Sequence, residues 1–552
     1  MALPYFQAKS NSRTQLKVFA GLDRRDKIAD SSLTEMTNMS GDAIPSLMPR
    51  EARKYIASAP GACSLCAPEY TGGELTAFTG VAGKYFYYKG TKIKGELTEG
   101  KKAVADFNGK ICIFPDKVYY DYLPSPETGE ISDSLTSMEK IMQVKNLNFY
   151  SSHNNTTDTY TSYISASNVD FSKNFSVGDS IVISGCQNTK NNTKTVSGRK
   201  DYASENDIVS MVVDSVSTNK ITLLMYNKKG QRAEFTNGTE SGTVTIKVSV
   251  PDMDNICVHN NRLWGTATSG ECIYASRLGD CTSFYSYQGL GDDSWYGMVG
   301  TGGEFTGICS YRTAVVAFKR ECIHHIYGDA PVNFAMPKQT AGGCIDGRSI
   351  CEIGGVLYYL SNDGFKGYSG GEPFGIAPQL KGEYTSCVSG SDGRHYYCSA
   401  QGKDGKTDVL VYTPDTGIWV REDDTVFEGF CSYNGSLYGI ADGEMWRMNG
   451  GDEPTSWCVV SKRFTYDMIE NKGLSCIWLR MDMEENSSVN VYLSFDGGDF
   501  IKYGEISHSG FSTHCVPVRF GKCNSFRVMV EGCGKVVIHD IEITSHNGGR
   551  TY

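Results

Sequence analysis

The sequence predicts an all-β chain: a six- or seven-bladed β-propeller with a small inserted β-domain and a C-terminal β-sandwich. Three observations predict it. No 3.6-residue periodicity runs over three turns, and a turn-plus-aromatic-strand unit recurs at blade-like intervals. Glycine makes up 61 of 552 residues, above the usual rate of about 7%.

The recurring unit is a Gly, Asn or Asp turn followed by a short apolar and aromatic strand. It reads GKYFYY at 83–88, NGKICIF at 108–114 and NNRLWG at 260–265. It returns as YRTAVVAF at 311–318, GGVLYYL at 354–360, DGRHYYC at 392–398 and NGSLYGI at 434–440. From Asn261 onward the turns stand 51, 43, 38 and 42 residues apart, the spacing of four-stranded blades. A second hairpin completes each unit, as in VLVYTPDTGIWV at 409–420. One such sheet cannot bury both faces alone, whereas stacked blades can. The first two turns, at Gly83 and Gly109, are only about 26 residues apart and leave the count at six or seven.

The order of elements follows. Residues 1–60 form an N-terminal arm with the first propeller strands, and 61–139 the first part of the propeller. The nearest helical candidate is short, at 134–142. Residues 140–250 are rich in Asn, Ser, Thr and Lys and break the regularity; they read as an inserted β-domain. Residues 251–469 resume the propeller. Residues 470–552 alternate apolar and polar positions and read as the closing sandwich.

Composition excludes several classes. No apolar run approaches the roughly 20 residues of a membrane-spanning helix, so no stable membrane insertion is expected. The N-terminus has no apolar signal core. With 53 basic and 63 acidic side chains the net charge is -10, which argues against a duplex-DNA binder held by phosphate contacts. The 19 cysteines are expected to be reduced, and Cys112, Cys257 and Cys398 read as buried apolar residues.

The motifs for chemistry are weak. Cys63 and Cys66 form an isolated CxxC without a partner pair. His324 and His325 would point to opposite faces of a strand. Asp106, Asp116 and Asp121 are carboxylates of the kind glycoside hydrolysis uses, but solvated turn acids are the simpler reading. SFDGGDF at 494–500 is similar to a sialidase Asp-box turn, itself structural. No Walker, EF-hand or HExxH motif occurs. No catalytic, cofactor-binding or metal-binding residue is assigned, no cofactor is expected, and the chain is expected not to be an enzyme.

Three phrases carry a resemblance. FAGLD at 19–23 precedes DSSLTEMTNM at 30–39 and IPSLMPR at 44–50. NRLW at 261–264 precedes YASRLGD at 274–280. FKR at 318–320, YG at 327–328 and GVLYYLSNDG at 355–364 follow. In this order they resemble the tail nozzle, or tail tubular protein B-like, components of tailed phages and related DNA-stabilisation proteins. The resemblance implies a virion protein made in the bacterial host cytoplasm. It implies a homohexameric ring continuing the DNA channel below portal and adaptor, near the tail fibres. The ring would retain the genome and let it pass at ejection without sequence-specific binding, and an acidic lumen would keep phosphates from sticking. The alternative is a receptor-binding tail protein that binds or cleaves glycans, with aromatics such as Trp295 or Trp419 stacking on sugars. A third reading is a scaffold for host proteins.

Overall fold

The computed structural model describes residues 11–69, 72–194, 204–466 and 471–547. Among them are no α-helices, only three short 3-10 turns between strands. The chain divides into two compact units. One comprises Ala59–Ile350 and Ser369–Pro373; the other comprises Met1–Ser58, Cys351–Tyr368 and Phe374–Tyr552.

The unit built on Ala59–Ile350 holds four antiparallel meander sheets. Sheet I is Ala62–Leu65, Gly80–Ala82, Tyr85–Tyr88 and Thr91–Lys92. Sheet II is Ala103–Phe107, Lys110–Phe114, Val118–Asp121 and Thr136–Ser137. Sheet III is Asn255–His259, Arg262–Thr266, Cys272–Ala275 and Trp295–Met298. Sheet IV is Phe305–Tyr311, Ala314–Lys319, Cys322–Tyr327 and Ala335–Ala341. The first strands of I and II, II and III, and III and IV pack against each other.

Between sheets II and III the chain builds a six-stranded sheet. Its spatial order is Ile181–Ser184, Gly238–Val248, Lys140–Asn154, Thr159–Ser165, Lys220–Asn227, Ile208–Ser217. One face buries Ile221, Leu223 and Met225 from one strand and Val244, Ile246 and Val248 from another, the period-2 burial of a one-sided sheet. The short helical candidate at 134–142 is strand instead. Thr136–Ser137 is the outer strand of sheet II, and Lys140, Ile141 and Met142 pair with Val248, Lys247 and Ile246. Cross-strand pairing decides the conformation of so short a segment.

The other unit holds three more meander sheets. Sheet V is Cys351–Ile353, Val356–Ser361, Gly364–Tyr368 and Phe374–Gly375. Sheet VI is Tyr384–Ser391, Tyr396–Gly402, Thr407–Thr413 and Ile418–Arg421. Sheet VII is Phe427–Tyr433, Ser436–Ala441 and Glu444–Gly451, completed on its outer edge by Ala52–Ser58. First strands again pack in series, V on VI and VI on VII.

Two further sheets of this unit join the chain ends. Asn11–Leu16 pairs with Val536–Asn547, beside Lys472–Met483 and Gly510–Cys523. Leu33–Thr37 pairs with Ser456–Ser461, beside Phe526–Cys533, Ser488–Phe495 and Ile501–Ile506. Each alternates buried and exposed residues, with Ile477, Leu479, Val489, Val491 and Leu493 fully buried.

The recurring turn has one cause. In sheets II, III and VII it joins the first two strands as a two-residue loop with both central φ values positive: Asn108–Gly109, Asn260–Asn261 and Asn434–Gly435. Those loops match the strand twist, and Asn and Gly tolerate the left-handed backbone. In sheet I the similar turn at Gly83 joins strands two and three. The interval from Gly83 to Gly109 is therefore short although two sheets are involved.

Candidate functional site

A cavity of about 810 Å³ opens where the first strands of sheets II, III and IV begin. Close backbone packing shapes its wall: a Cβ on Gly307 would lie 2.9 Å from Gly347 Cα, and one on Gly347 would lie 2.0 Å from Thr306 O. Thr306 Oγ1 donates to Cys344 O at 2.8 Å. The wall carries Lys101, Lys102, Arg320 and Arg348 against Asp254, Glu304, Glu321 and Asp346. Lys102 is enclosed and pairs with Asp116 at 2.5 Å, and Arg348 pairs with Asp346 at 2.7 Å. The charged groups of its wall are thus balanced, four cations against four carboxylates.

A second cleft, about 410 Å³, is aromatic. The half-buried rings of Tyr287, Trp295 and Tyr296 line it, with Leu290, Pro331 and Val332 at its rim and Asn227, Lys228 and Lys229 from the inserted sheet. Its frame hangs on Arg262, which is 1% exposed and lacks a direct carboxylate partner among the described residues. The guanidinium donates instead to the carbonyls of Ser276 at 2.8 Å, Asp293 at 2.5 Å and Gly291 at 2.8 Å. Arg277 pairs with Asp292 in the same loop. Ser276 Oγ accepts from Leu263 N–H at 3.0 Å. The NRLW and YASRLGD phrases therefore hold the long loop between the third and fourth strands of sheet III. Ser210 ties that loop to the inserted sheet, donating to Tyr285 O at 3.3 Å and accepting from Tyr287 N–H at 3.0 Å.

The sequence-flagged residues are dispersed. Asp106 accepts from Tyr122 and from Glu69 N–H, Asp116 holds Lys102, and Asp121 accepts from Leu123 N–H. His324 is buried beside Thr301, and burial first, then nearby Lys319, lowers its pKa to about 4. His325 instead stacks on Tyr327. In SFDGGDF, Asp496 and Gly497 have positive φ, and Asp496 accepts from Asn524 and Ser525 N–H at 2.8 Å each: a hairpin turn. Trp419 is fully buried and donates to Ile376 O at 2.9 Å, so it offers no face to a sugar. Trp295 keeps part of its surface. Sequence reasoning named Trp295 but missed Tyr287, Tyr296 and Lys228–Lys229, whose approach depends on pairing across sheets.

Cys63 lies at the edge of sheet I and Cys66 is buried. Among the described residues no group of three or more His, Cys, Asp or Glu is placed to hold a metal ion. No helix there is long and apolar enough to cross a membrane.

Charge is concentrated instead where the N-terminal segment meets sheet VI. Arg53 contacts Glu422 at 2.7 Å and Asp423 at 2.9 Å, and Arg50 lies 3.3 Å from Asp423. Arg24 and Arg421 share Asp408 at 2.7 and 2.5 Å. His395 stands between Asp392 at 2.8 Å and Asp42 at 3.3 Å. Burial alone would lower the His395 pKa, but its two carboxylate partners raise it to about 9.

No family model matches the chain, and no curated protein does. Among solved structures it is similar to an exo-beta-1,3-galactanase from Phanerochaete chrysosporium with galactose. That likeness has 10% identity and a TM-score of 0.22, over 51% of this chain and 95% of that one. A glycoside hydrolase family 43 arabinoxylan arabinofuranohydrolase from Bacillus subtilis, in complex with cellotetraose, is similar at 8% identity and TM-score 0.18. It covers 90% of this chain and 97% of that one. A family 29 carbohydrate binding module is similar at 16% identity and TM-score 0.13, over 22% of this chain and 76% of that one. These likenesses identify no substrate and no mechanism for this chain. They do correct one expectation: two of the three are glycoside hydrolases, so the expectation that the chain is not an enzyme no longer stands.

Proposed function

We propose that the seven meander sheets are the blades of one β-propeller and that the chain is a structural subunit of a phage tail, assembling as a nozzle-type ring around the DNA path. The supporting observation is where the resembling phrases fall. GLD places Gly21 against the main chain of sheet VI, and NRLW and YASRLGD build the Arg262-centred loop. Each phrase thus has a structural role that ties it to this architecture. Mass measurement of the purified chain tests the ring: six copies of 60.5 kDa are expected. A monomer at every concentration, or a ring whose lumen is lined by Lys and Arg, counts against it.

A second reading, a tail protein that recognises glycans, is favoured by the aromatic cleft at Tyr287, Trp295 and Tyr296. A glycan array probed with the full chain tests it, and an empty array removes it.

A further inference from the structure

We propose that the cleft bordered by the edge strand Ala52–Ser58 of sheet VII is a docking site for a Lys- and Arg-rich segment of a partner protein. The site is independent of both readings above, ring assembly and glycan recognition.

Two adjoining hollows, about 400 and 370 Å³, form the cleft and share Arg50, Ala52 and residues 453–455. Main-chain bonds set the surrounding turns in place. Gly534 N–H donates to Thr455 O at 3.1 Å, Glu484 N–H to Lys535 O at 3.1 Å and Ser487 N–H to Glu484 O at 3.2 Å. Asp442 and Gly443 both have positive φ, in the two-residue loop between the second and third strands of sheet VII. The wall therefore has its shape before a partner arrives, which lowers the ordering cost of binding.

The wall is rich in carboxylates. The sheet VII hairpin brings Asp442 and Glu444, the loop at 451–455 brings Asp452 and Glu453, and the turn after Met483 brings Glu484 and Glu485. Glu51 is the seventh and accepts from Gly450 N–H at 3.1 Å. All but Glu444 are exposed. Among the described residues none of the seven is in an ion pair. The cations of the wall are Arg50, Arg53 and Lys535. Both arginines are already paired with Glu422 and Asp423. Lys535 alone is left against the seven carboxylates, so the accessible charge of the cleft is anionic. A concave wall of one sign draws in the opposite charge.

Two features point to a polypeptide. The side chain of Arg53 is 10% exposed, yet its buried Nε–H has no acceptor among the described residues. A carbonyl oxygen of a docked main chain supplies one. The half-buried ring of Trp446 lines the same hollow, and Tyr55 meets it edge-on at 5.6 Å. An aromatic ring beside carboxylates suits the head of a lysine or arginine. Ala52–Ser58 also ends sheet VII, so an extended segment can pair along its outer edge. A divalent cation matches less well, because the carboxylates sit on separate turns and no three are placed to hold a metal among the described residues. A polyamine brings charge but no carbonyl for Arg53.

The test is fluorescence anisotropy of labelled nona-lysine and nona-arginine with the full chain, with spermine and calcium as competitors. Two variants of equal net charge accompany it. The cleft variant carries Glu453→Gln, Glu484→Gln and Glu485→Gln; the control carries Glu127→Gln, Glu130→Gln and Glu372→Gln. All six positions are exposed, so both variants keep the fold, checked by a Tm no lower than that of the wild type. The expected result is binding that the cleft variant weakens about tenfold, that the control leaves unchanged and that raised salt reduces. Carbodiimide coupling of bound nona-lysine, read by peptide mass spectrometry, should mark Glu453, Glu484 or Glu485. Equal weakening by both variants means that binding follows net charge alone and overturns the site. Coupling confined to other carboxylates, full displacement by calcium or by spermine at equal charge concentration, or no binding at low salt also overturns it.

Discussion

Gly21 lies against the carbonyl of Trp419. A Cβ at position 21 would sit 2.4 Å from Trp419 O, and Leu22 N–H donates to that oxygen at 2.8 Å. Gly21 also has φ +75. Gly21→Ala therefore meets two penalties, a left-handed backbone worth about 1–2 kcal/mol and a main-chain overlap. The expected result in calorimetry is a lower Tm for the unit holding sheets V to VII.

Arg262 holds three loop carbonyls at once, a task that suits a planar fork of donors. Arg262→Met leaves those buried oxygens without their donors, at about 1 kcal/mol each. Residues 276–294 should become a site of limited proteolysis, seen as two fragments by mass spectrometry. Arg262→Lys should rescue little, because a point charge reaches fewer of the carbonyls.

Stability should follow pH through His395 and Asp42. The His395 pKa is raised from 6.5 to about 9, so its contribution is full below about 6.5 and fades as pH rises through 9. The hydrogen bond with His395 is the main cause of a lowered Asp42 pKa, from 3.8 to about 2. That contribution is full above about 3.8 and fades as pH falls towards 2. The Tm difference between wild type and His395→Gln should be largest between about pH 4 and 6.5 and should vanish above pH 9. A difference that grows at alkaline pH would contradict the assignment.

All nineteen cysteines are thiols in the structure, in very different surroundings. Cys515 is exposed, whereas Cys112 and Cys398 are 0% exposed and burial raises their pKa well above the usual thiol range. Iodoacetamide on the native chain should modify Cys515 within the first time points. Cys112 and Cys398 should react only in denaturant, as read by peptide mass spectrometry.

The legible part of the fold was the part written in adjacent residues. Asn260–Asn261 and Asn434–Gly435 announce hairpins because the loop geometry needs left-handed residues there. The pairing of Ala52–Ser58 with Glu444–Gly451 leaves no such local mark, since the partners are distant in sequence. The segment at 134–142 misled because a few apolar residues fit either period until the strand Gly238–Val248 is beside them. The aromatic cleft was half legible. Trp295 stood out by residue type, but the turn carrying Lys228 and Lys229 reaches it only through the inserted sheet.

The edge strand Ala52–Ser58 also sets a timetable. It leaves the ribosome about 400 residues ahead of its partner; at roughly 5–20 residues per second that is a wait of about 20–80 s. Asn11–Leu16 waits longer still, for Val536–Asn547. During translation the unit holding sheets V to VII is therefore the last to close, and its N-terminal strands travel as unpaired edges open to chaperones or to a neighbouring nascent chain.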